Sequence, residues 1–204
     1  MSMKLRASMT SPYARKVRAM LIETGLDKST EVIDTDPWSP ETDLPNDNPL
    51  GRVPTLILED GTSLYDSRTI CEILDGMHNG HRLYPSGGDE RTDALLFLAL
   101  GDGMCDTLIH RVVDRRRPEN LQSTDWQARQ VVTLNRCLDH LEGIVDQLEG
   151  PVTIGTLAVS VALGYIDLRG ADLNWRANHP KLAAWQATME QRPSIDATRP
   201  PEGA

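Results

Sequence analysis

The stretch Val53-Pro54-Thr55-Leu56-Ile57-Leu58-Glu59-Asp60-Gly61-Thr62-Ser63-Leu64-Tyr65-Asp66-Ser67-Arg68-Thr69-Ile70 decides the fold of the first part of the chain. Val53 to Leu58 is an apolar, β-branched run that opens with a proline, as a strand start permits. Asp60-Gly61 is a strong two-residue turn signal, so Thr62 to Tyr65 returns as the second strand of a hairpin. Asp66-Ser67 then supplies a side-chain oxygen for a helix start, and Ile70, Cys71, Ile73 and Leu74 fall on the inward face of that helix.

Upstream, Lys4 to Ala7 is a weak strand candidate and Glu31 to Asp34 a second. Between them, Thr10-Ser11-Pro12 joins a hydroxyl N-cap to a proline suited to the first helical turn. A helix therefore begins there, with Tyr13, Val17, Met20 and Leu21 on one face and Gly25 as its stop. Asp36 to Pro49 holds four prolines among acidic residues and reads as an irregular surface loop. The order is β-α-β, then β-β-α. Downstream, Pro85-Ser86-Gly87-Gly88 is a domain boundary, and from Asp89 the pattern is helical. A long helix is expected from Asp89 to Arg116. The next is capped at Thr124, with Gln127 completing a capping box, and carries Val131, Leu134, Leu138, Leu141, Val145 and Leu148 on one stripe. Ile154 to Leu168 is apolar nearly all round, as befits a helix at the centre of a bundle. Leu182, Trp185 and Met189 mark a last helix that stops before Pro193, and the tail Thr198 to Ala204 is expected to be mobile.

Composition narrows the function classes. The chain has 204 residues, with 21 Lys+Arg against 30 Asp+Glu, a net charge of −9 and a pI near 5.0. With 39% hydrophobic and 25% charged residues it is too apolar for a wholly disordered chain. No apolar run approaches the length that spans a bilayer, and the first residues lack the apolar core of a secretion signal, so a cytoplasmic protein without membrane partners is expected. The negative balance repels phosphate backbones, and no nucleic-acid partner is expected. The one basic run, Arg111 to Arg117, is interrupted by Asp114; it reads as a solvated helix face, or else as the mouth of a site favouring an anionic second substrate. Cys71, Cys105 and Cys137 are widely spaced and form no C-x-x-C, so neither a disulfide framework nor a metal site is expected.

Four segments, in order, resemble the cytosolic glutathione S-transferases. Ser11-Pro12-Tyr13-Ala14-Arg15-Lys16-Val17-Arg18 is similar to the first active-site segment of the bacterial serine-type branch. Asn48-Pro49-Leu50-Gly51-Arg52-Val53-Pro54-Thr55-Leu56 is similar to the segment with the family's cis-proline. Asp66-Ser67-Arg68-Thr69-Ile70 resembles the acidic-Ser pair that binds the γ-glutamyl end of glutathione, and His179-Pro180-Lys181-Leu182-Ala183-Ala184-Trp185 with Arg192-Pro193 resembles the family's last helix. The resemblance implies an α/β N-terminal thioredoxin-like domain over residues 1–80, a linker over 81–88 and an all-α helical-bundle domain over 89–204. It implies glutathione as co-substrate, a small hydrophobic electrophile as its partner in a conjugation reaction, and a homodimer. Relatives also include glutathione-dependent lyases and isomerases, and non-catalytic protein-binding members.

The residue chemistry fits these roles. A thiol with a pKa near 8.5 is mostly protonated at neutral pH, and the Ser11 hydroxyl at a helix start can stabilise its thiolate. As a bare string, Ser before Pro is more often only an N-cap, and Tyr13 and Thr10 are rival donors. Cysteine, which thiol-dependent relatives carry at this position, is absent, which disfavours mixed-disulfide chemistry. The cis X-Pro bond that the resemblance implies at Val53-Pro54 turns the Val53 backbone outward to pair with an extended peptide. Asp66 and Ser67 offer a carboxylate for the γ-glutamyl ammonium and helix-terminal amides for its carboxylate, although Asp-Ser before a helix is more often a cap. Asp102 resembles a position that in some relatives reaches the same ammonium across a dimer interface; a solvated helix acid explains it equally well. Gly101 and Gly103 can allow close backbone approach at that interface. Relatives place Asp where this chain has Thr156, so its hydroxyl is expected to complete the capping box with Thr153 only in part.

Overall fold

The computed structural model describes residues 2–203. The chain divides into two compact units, one made of the residues up to Ser86 together with those from Pro193 on, the other of Gly87–Arg192.

In the first unit the order is β1 (Met3–Ala7), α1 (Pro12–Thr24), β2 (Thr30–Asp34), β3 (Thr55–Ile57), β4 (Ser63–Leu64) and α2 (Ser67–Gly76). The sheet runs β2-β1-β3-β4, with β1 parallel to β2 and antiparallel to β3, and β4 antiparallel to β3. A parallel pair needs a crossover, and α1 supplies it. Met3, Leu5 and Ala7 alternate into the core of this unit, which also holds Val17, Met20 and Leu21 of α1, Leu56 of β3 and Ile70 and Leu74 of α2. Gly25 stops α1 at φ 72°, where its N–H returns to the last turn. Three details differ from the sequence reading. The strand after Pro54 is only three residues long. The hairpin loop is Glu59-Asp60-Gly61 rather than a two-residue turn, because the Leu58 N–H donates to the Thr62 carbonyl at 2.9 Å and Gly61 takes φ 88°. Ile73, expected inward, is 36% exposed.

The second unit holds α3 (Gly88–Arg115), α4 (Thr124–Gly143), α5 (Ile154–Arg169), α6 (Trp175–Asn178) and α7 (Pro180–Met189). Helix α5 is buried on nearly every face, as its apolar composition requires. It meets α3 backbone to backbone. A Cβ on Gly101 would fall 2.6 Å from the Ala158 carbonyl carbon, and one on Gly155 would fall 2.4 Å from the Ala94 oxygen. Gly101 thus serves a contact within the chain rather than the expected interface between subunits, while a Cβ on Gly103 would meet open space. Leu134, Leu138 and Leu141 form the buried stripe of α4, whereas Val145 and Leu148 belong to a separate 3-10 turn, Val145–Leu148.

The cap of α4 is Ser123, not Thr124; its hydroxyl accepts from the Trp126 N–H. Gln127 makes no capping box, because its amide donates instead to Asp114 at 2.9 Å. At α5 the box is complete: the Thr156 N–H donates to Thr153 Oγ1 at 3.2 Å, and the Thr153 N–H donates to Thr156 Oγ1 at 2.9 Å. A hydroxyl at residue 156 therefore does the work assigned to a carboxylate. The basic run is a solvated face only in part. Arg115, Arg116 and Arg117 are exposed, but Arg111 is 4% exposed and bidentate to Asp172, Arg115 reaches the same carboxylate, and Asp114, buried near the end of α3, accepts the Ser123 N–H at the start of α4.

Beyond α7 a further short helix, α8 (Pro193–Asp196), joins the first unit instead of the helical one. Arg15 of α1 donates to the Ile195 carbonyl at 3.1 Å, and the Ser194 hydroxyl donates to the Glu23 carboxylate. Thr198 is 1% exposed and donates to the Ser194 carbonyl, so the expected mobile tail is anchored at its start; Ala204 lies outside the described residues.

Candidate functional site

Strand register brings three of the singled-out segments to one end of the first unit's sheet. Arg6 of β1 lies opposite Thr55 of β3, and Leu56 of β3 lies opposite Leu64 of β4. The chain therefore leaves β1 toward Ser11, enters β3 from Val53-Pro54 and leaves β4 toward Asp66-Ser67 at the same edge. Neighbouring strands are about 4.8 Å apart, so the three exits span about 10 Å, the reach of an extended tripeptide.

Ser11 is the N-cap of α1 in extended backbone, and its Oγ accepts the Ala14 N–H at 3.3 Å. That bond uses a lone pair and leaves the hydroxyl proton available for an acceptor outside the chain. The Ser11 carbonyl meanwhile takes the Arg15 N–H at 2.9 Å, fixing the cap. Of the rival donors, Thr10 lies 3.4 Å from Ser8 Oγ, and Tyr13 is half-buried.

The Val53–Pro54 bond is cis, as is Tyr65–Asp66. Val53 is 9% exposed, and its backbone N–H and C=O have no hydrogen-bond partner among the described residues. Backbone groups at so buried a residue ordinarily find one. The turn before it is held by a residue that the sequence reading passed over. Asn48 is 1% exposed; its side chain donates through Nδ2 to the Arg52 carbonyl and to Thr55 Oγ1, and its Oδ1 accepts the Leu50 N–H. An Asn before Pro in a loop was the available signal, and it is a weak one.

Asp66 caps α2, taking the Arg68 N–H at 3.0 Å, and is exposed, so the carboxylate retains acceptor capacity toward solvent. Ser67 beside it is buried and offers a helix-terminal amide. Beside the sheet, Arg6 pins the 36–49 loop by ion pairs to Asp43 and, at 2.8 Å, to Asp47. The Arg6 hydrogen bond holds the Asp43 carboxyl below the usual carboxylate range. This clasp was invisible in the sequence, since its members lie far apart along the chain. Asp102 lies in the second unit, on α3, and is 3% exposed there, not solvated.

The glutathione S-transferase N-terminal domain family matches residues 10–77, and the glutathione S-transferase C-terminal domain family matches residues 124–186. An uncharacterised GST-like protein of Escherichia coli K12, YibF, is 34% identical over 203 residues, which is 98% of this chain and all of that protein. The crystal structure of a glutathione transferase family member from Pseudomonas fluorescens Pf-5, with bound glutathione, is 39% identical and superposes with a TM-score of 0.92, covering 98% of this chain and 100% of that one. A further structure from that organism holds S-(propanoic acid)-glutathione, with 38% identity, a TM-score of 0.90 and the same coverage. With both domain families matched in order and relatives aligned from end to end, the chain belongs to the glutathione S-transferase family.

Proposed function

We propose that this protein is a glutathione transferase that joins the glutathione thiolate to an electrophilic carbon of a small, largely apolar molecule. The observation that carries the reading is the convergence of Ser11, Val53 and Asp66-Ser67 at one sheet end, with a donor proton at the first, unpaired backbone groups at the second and an exposed carboxylate beside a helix start at the third. Glutathione docks there as an added strand. Its cysteinyl unit pairs with the Val53 N–H and C=O, the γ-glutamyl ammonium meets Asp66, and the γ-glutamyl carboxylate meets the Ser67 amide and hydroxyl. Pro54 shapes the turn that presents Val53.

Ser11 then donates its free hydroxyl proton to the sulfur, aided by the positive end of α1. Lowering a thiol pKa of about 8.5 by two units takes about 2.7 kcal/mol, within the reach of one hydrogen bond to an anion plus a helix terminus. The S–C bond forms as the leaving group departs with its electron pair, or as an activated double bond takes up a proton. A relative crystallised with S-(propanoic acid)-glutathione supports thioether chemistry over simple thiol binding.

The working form is a cytoplasmic homodimer in this reading. Leu96 of α3 and Val132 of α4, 62% and 60% exposed, supply apolar surface for a second copy. The test is retention on immobilised glutathione, then thiol consumption with an activated aryl halide, with light scattering on the same sample. Retention with conjugation at about twice 22.6 kDa is expected. Retention without consumption of thiol overturns the transferase reading in favour of a binding module, and turnover that regenerates free glutathione favours a lyase or isomerase.

A further inference from the structure

Within the helical unit, a hollow of about 630 Å³ opens between the 145–152 segment and helix α7, well inside the size range of small-molecule sites. Its apolar lining comes from Val145, Leu148 and Val152 on one side and from Trp185 and Met189 on the other. The Trp185 indole N–H donates to the Leu148 carbonyl at 3.2 Å, which locks the ring as a fixed wall bridging the two sides. A pinned indole presents a flat face with no rotamer entropy left to lose on binding.

The charges of the lining are segregated by element. Asp146 and Glu149 stand on the 145–152 segment, while Lys181 and Arg192 stand on α7 and just beyond its end. The Lys181 backbone N–H is held by Glu142, but no ion pair engages the Lys181, Asp146 or Glu149 side chain among the described residues. One side is thus acidic and the other basic, with apolar residues on both and the Trp185 indole bridging them. A simple cation meets two unlike charges there, and so does a simple anion. A molecule bearing both charges on one atom's substituents, with an apolar body, satisfies all three surfaces.

We propose that this hollow binds a free α-amino acid with a bulky apolar side chain. Its ammonium lies toward Asp146 and Glu149, its carboxylate toward Lys181 and Arg192, and its side chain against Trp185 and Met189. The hollow is built from residues of the second unit alone, whereas Ser11, Val53 and Asp66 belong to the first, and the proposal does not depend on the transferase reading.

The probe is L-phenylalanine, titrated into the full-length protein by calorimetry and by following the Trp185 indole N–H signal in two-dimensional NMR. Phenylacetate and phenethylamine, each with one of the two charges, serve as comparisons. Saturable binding of L-phenylalanine at least tenfold tighter than either, with the Trp185 signal moving, is expected. The exposed-site variants Lys181→Glu and Glu149→Lys should each weaken binding by tenfold or more while leaving the melting temperature within a degree or two. The proposal is overturned by no saturation at millimolar concentration, by equal binding of a singly charged comparison, or by indifference to both variants. It is also overturned if saturating glutathione displaces L-phenylalanine, which would put the amino acid in the other unit.

Discussion

Gly101 of α3 sits so close to Ala158 of α5 that a methyl group on it would overlap the Ala158 carbonyl carbon, at 2.6 Å. The neighbouring atoms are backbone on a buried helix and cannot swing aside. Gly101→Ala should therefore destabilise the protein by about 1–3 kcal/mol or more, through strain in a packed core. Gly103, two residues on, has open space where its Cβ would stand. Gly103→Ala should raise stability by up to about 1 kcal/mol, since alanine suits a helix interior better than glycine. Urea unfolding of both variants checks the pair, and equal effects would refute the close crossing.

Asp172 receives both terminal nitrogens of the buried Arg111, and this hydrogen bonding, joined by the charges of Arg111 and Arg115 and only partly offset by burial, leaves its carboxyl below the ordinary range. A depressed folded-state pKa gives stability that is present above the unfolded carboxylate pKa of about 3.9 and is lost as pH falls through the folded value. Asp172→Asn should thus be less stable than wild type at pH 7, by less than the 3–5 kcal/mol of a fully buried pair because Asp172 is half exposed. The gap should narrow below about pH 4. Melting temperatures measured from pH 7 down to pH 3 test this, and a gap that widens on acidification would contradict it.

Thr156 closes the capping box of α5 with its hydroxyl. Thr156→Val keeps the shape and removes the acceptor, leaving the Thr153 N–H without its partner at 2.9 Å. The expected loss is about 0.5–2 kcal/mol. Thr156→Asp should gain little, since the bond it would make already exists. A thermal shift series of the two variants decides between a complete and a partial cap.

What the sequence revealed follows the range of the interactions involved. Ser11, Pro12 and Gly25 announce α1 because capping acts over three or four residues, and the α5 segment announces its burial by composition alone. The α4 start was misplaced by one residue because Gln127 answers to Asp114, thirteen positions away, rather than to the local cap. The close approach that Gly101 permits was expected between subunits, because no one-dimensional pattern reports which helix lies opposite. The same limit hid the Arg6 clasp and the return of α8 to α1. For the site, each segment was legible by itself, but its meeting with the others at one sheet end depends on register, which only pairing fixes.

The mechanism turns on Ser11, whose Oγ accepts from Ala14 and so has its proton to give. Ser11→Ala should raise the pKa of bound glutathione, seen as loss of thiolate absorbance near neutral pH. Turnover should fall by roughly ten- to a hundredfold, as expected for losing a hydrogen bond of about 1.5–3 kcal/mol to a charged group. Affinity for glutathione should change little, because the Val53 backbone, Asp66 and Ser67 hold the tripeptide. Folding is a separate matter: losing the cap costs about 0.5–2 kcal/mol, and Ser11→Gly, which costs only a few tenths at an N-cap, separates the two effects. Both variants should lose the thiolate signal alike if the hydroxyl acts on sulfur. Tyr13→Phe should leave the signal intact; a larger defect there than in Ser11→Ala would move the donor role to Tyr13.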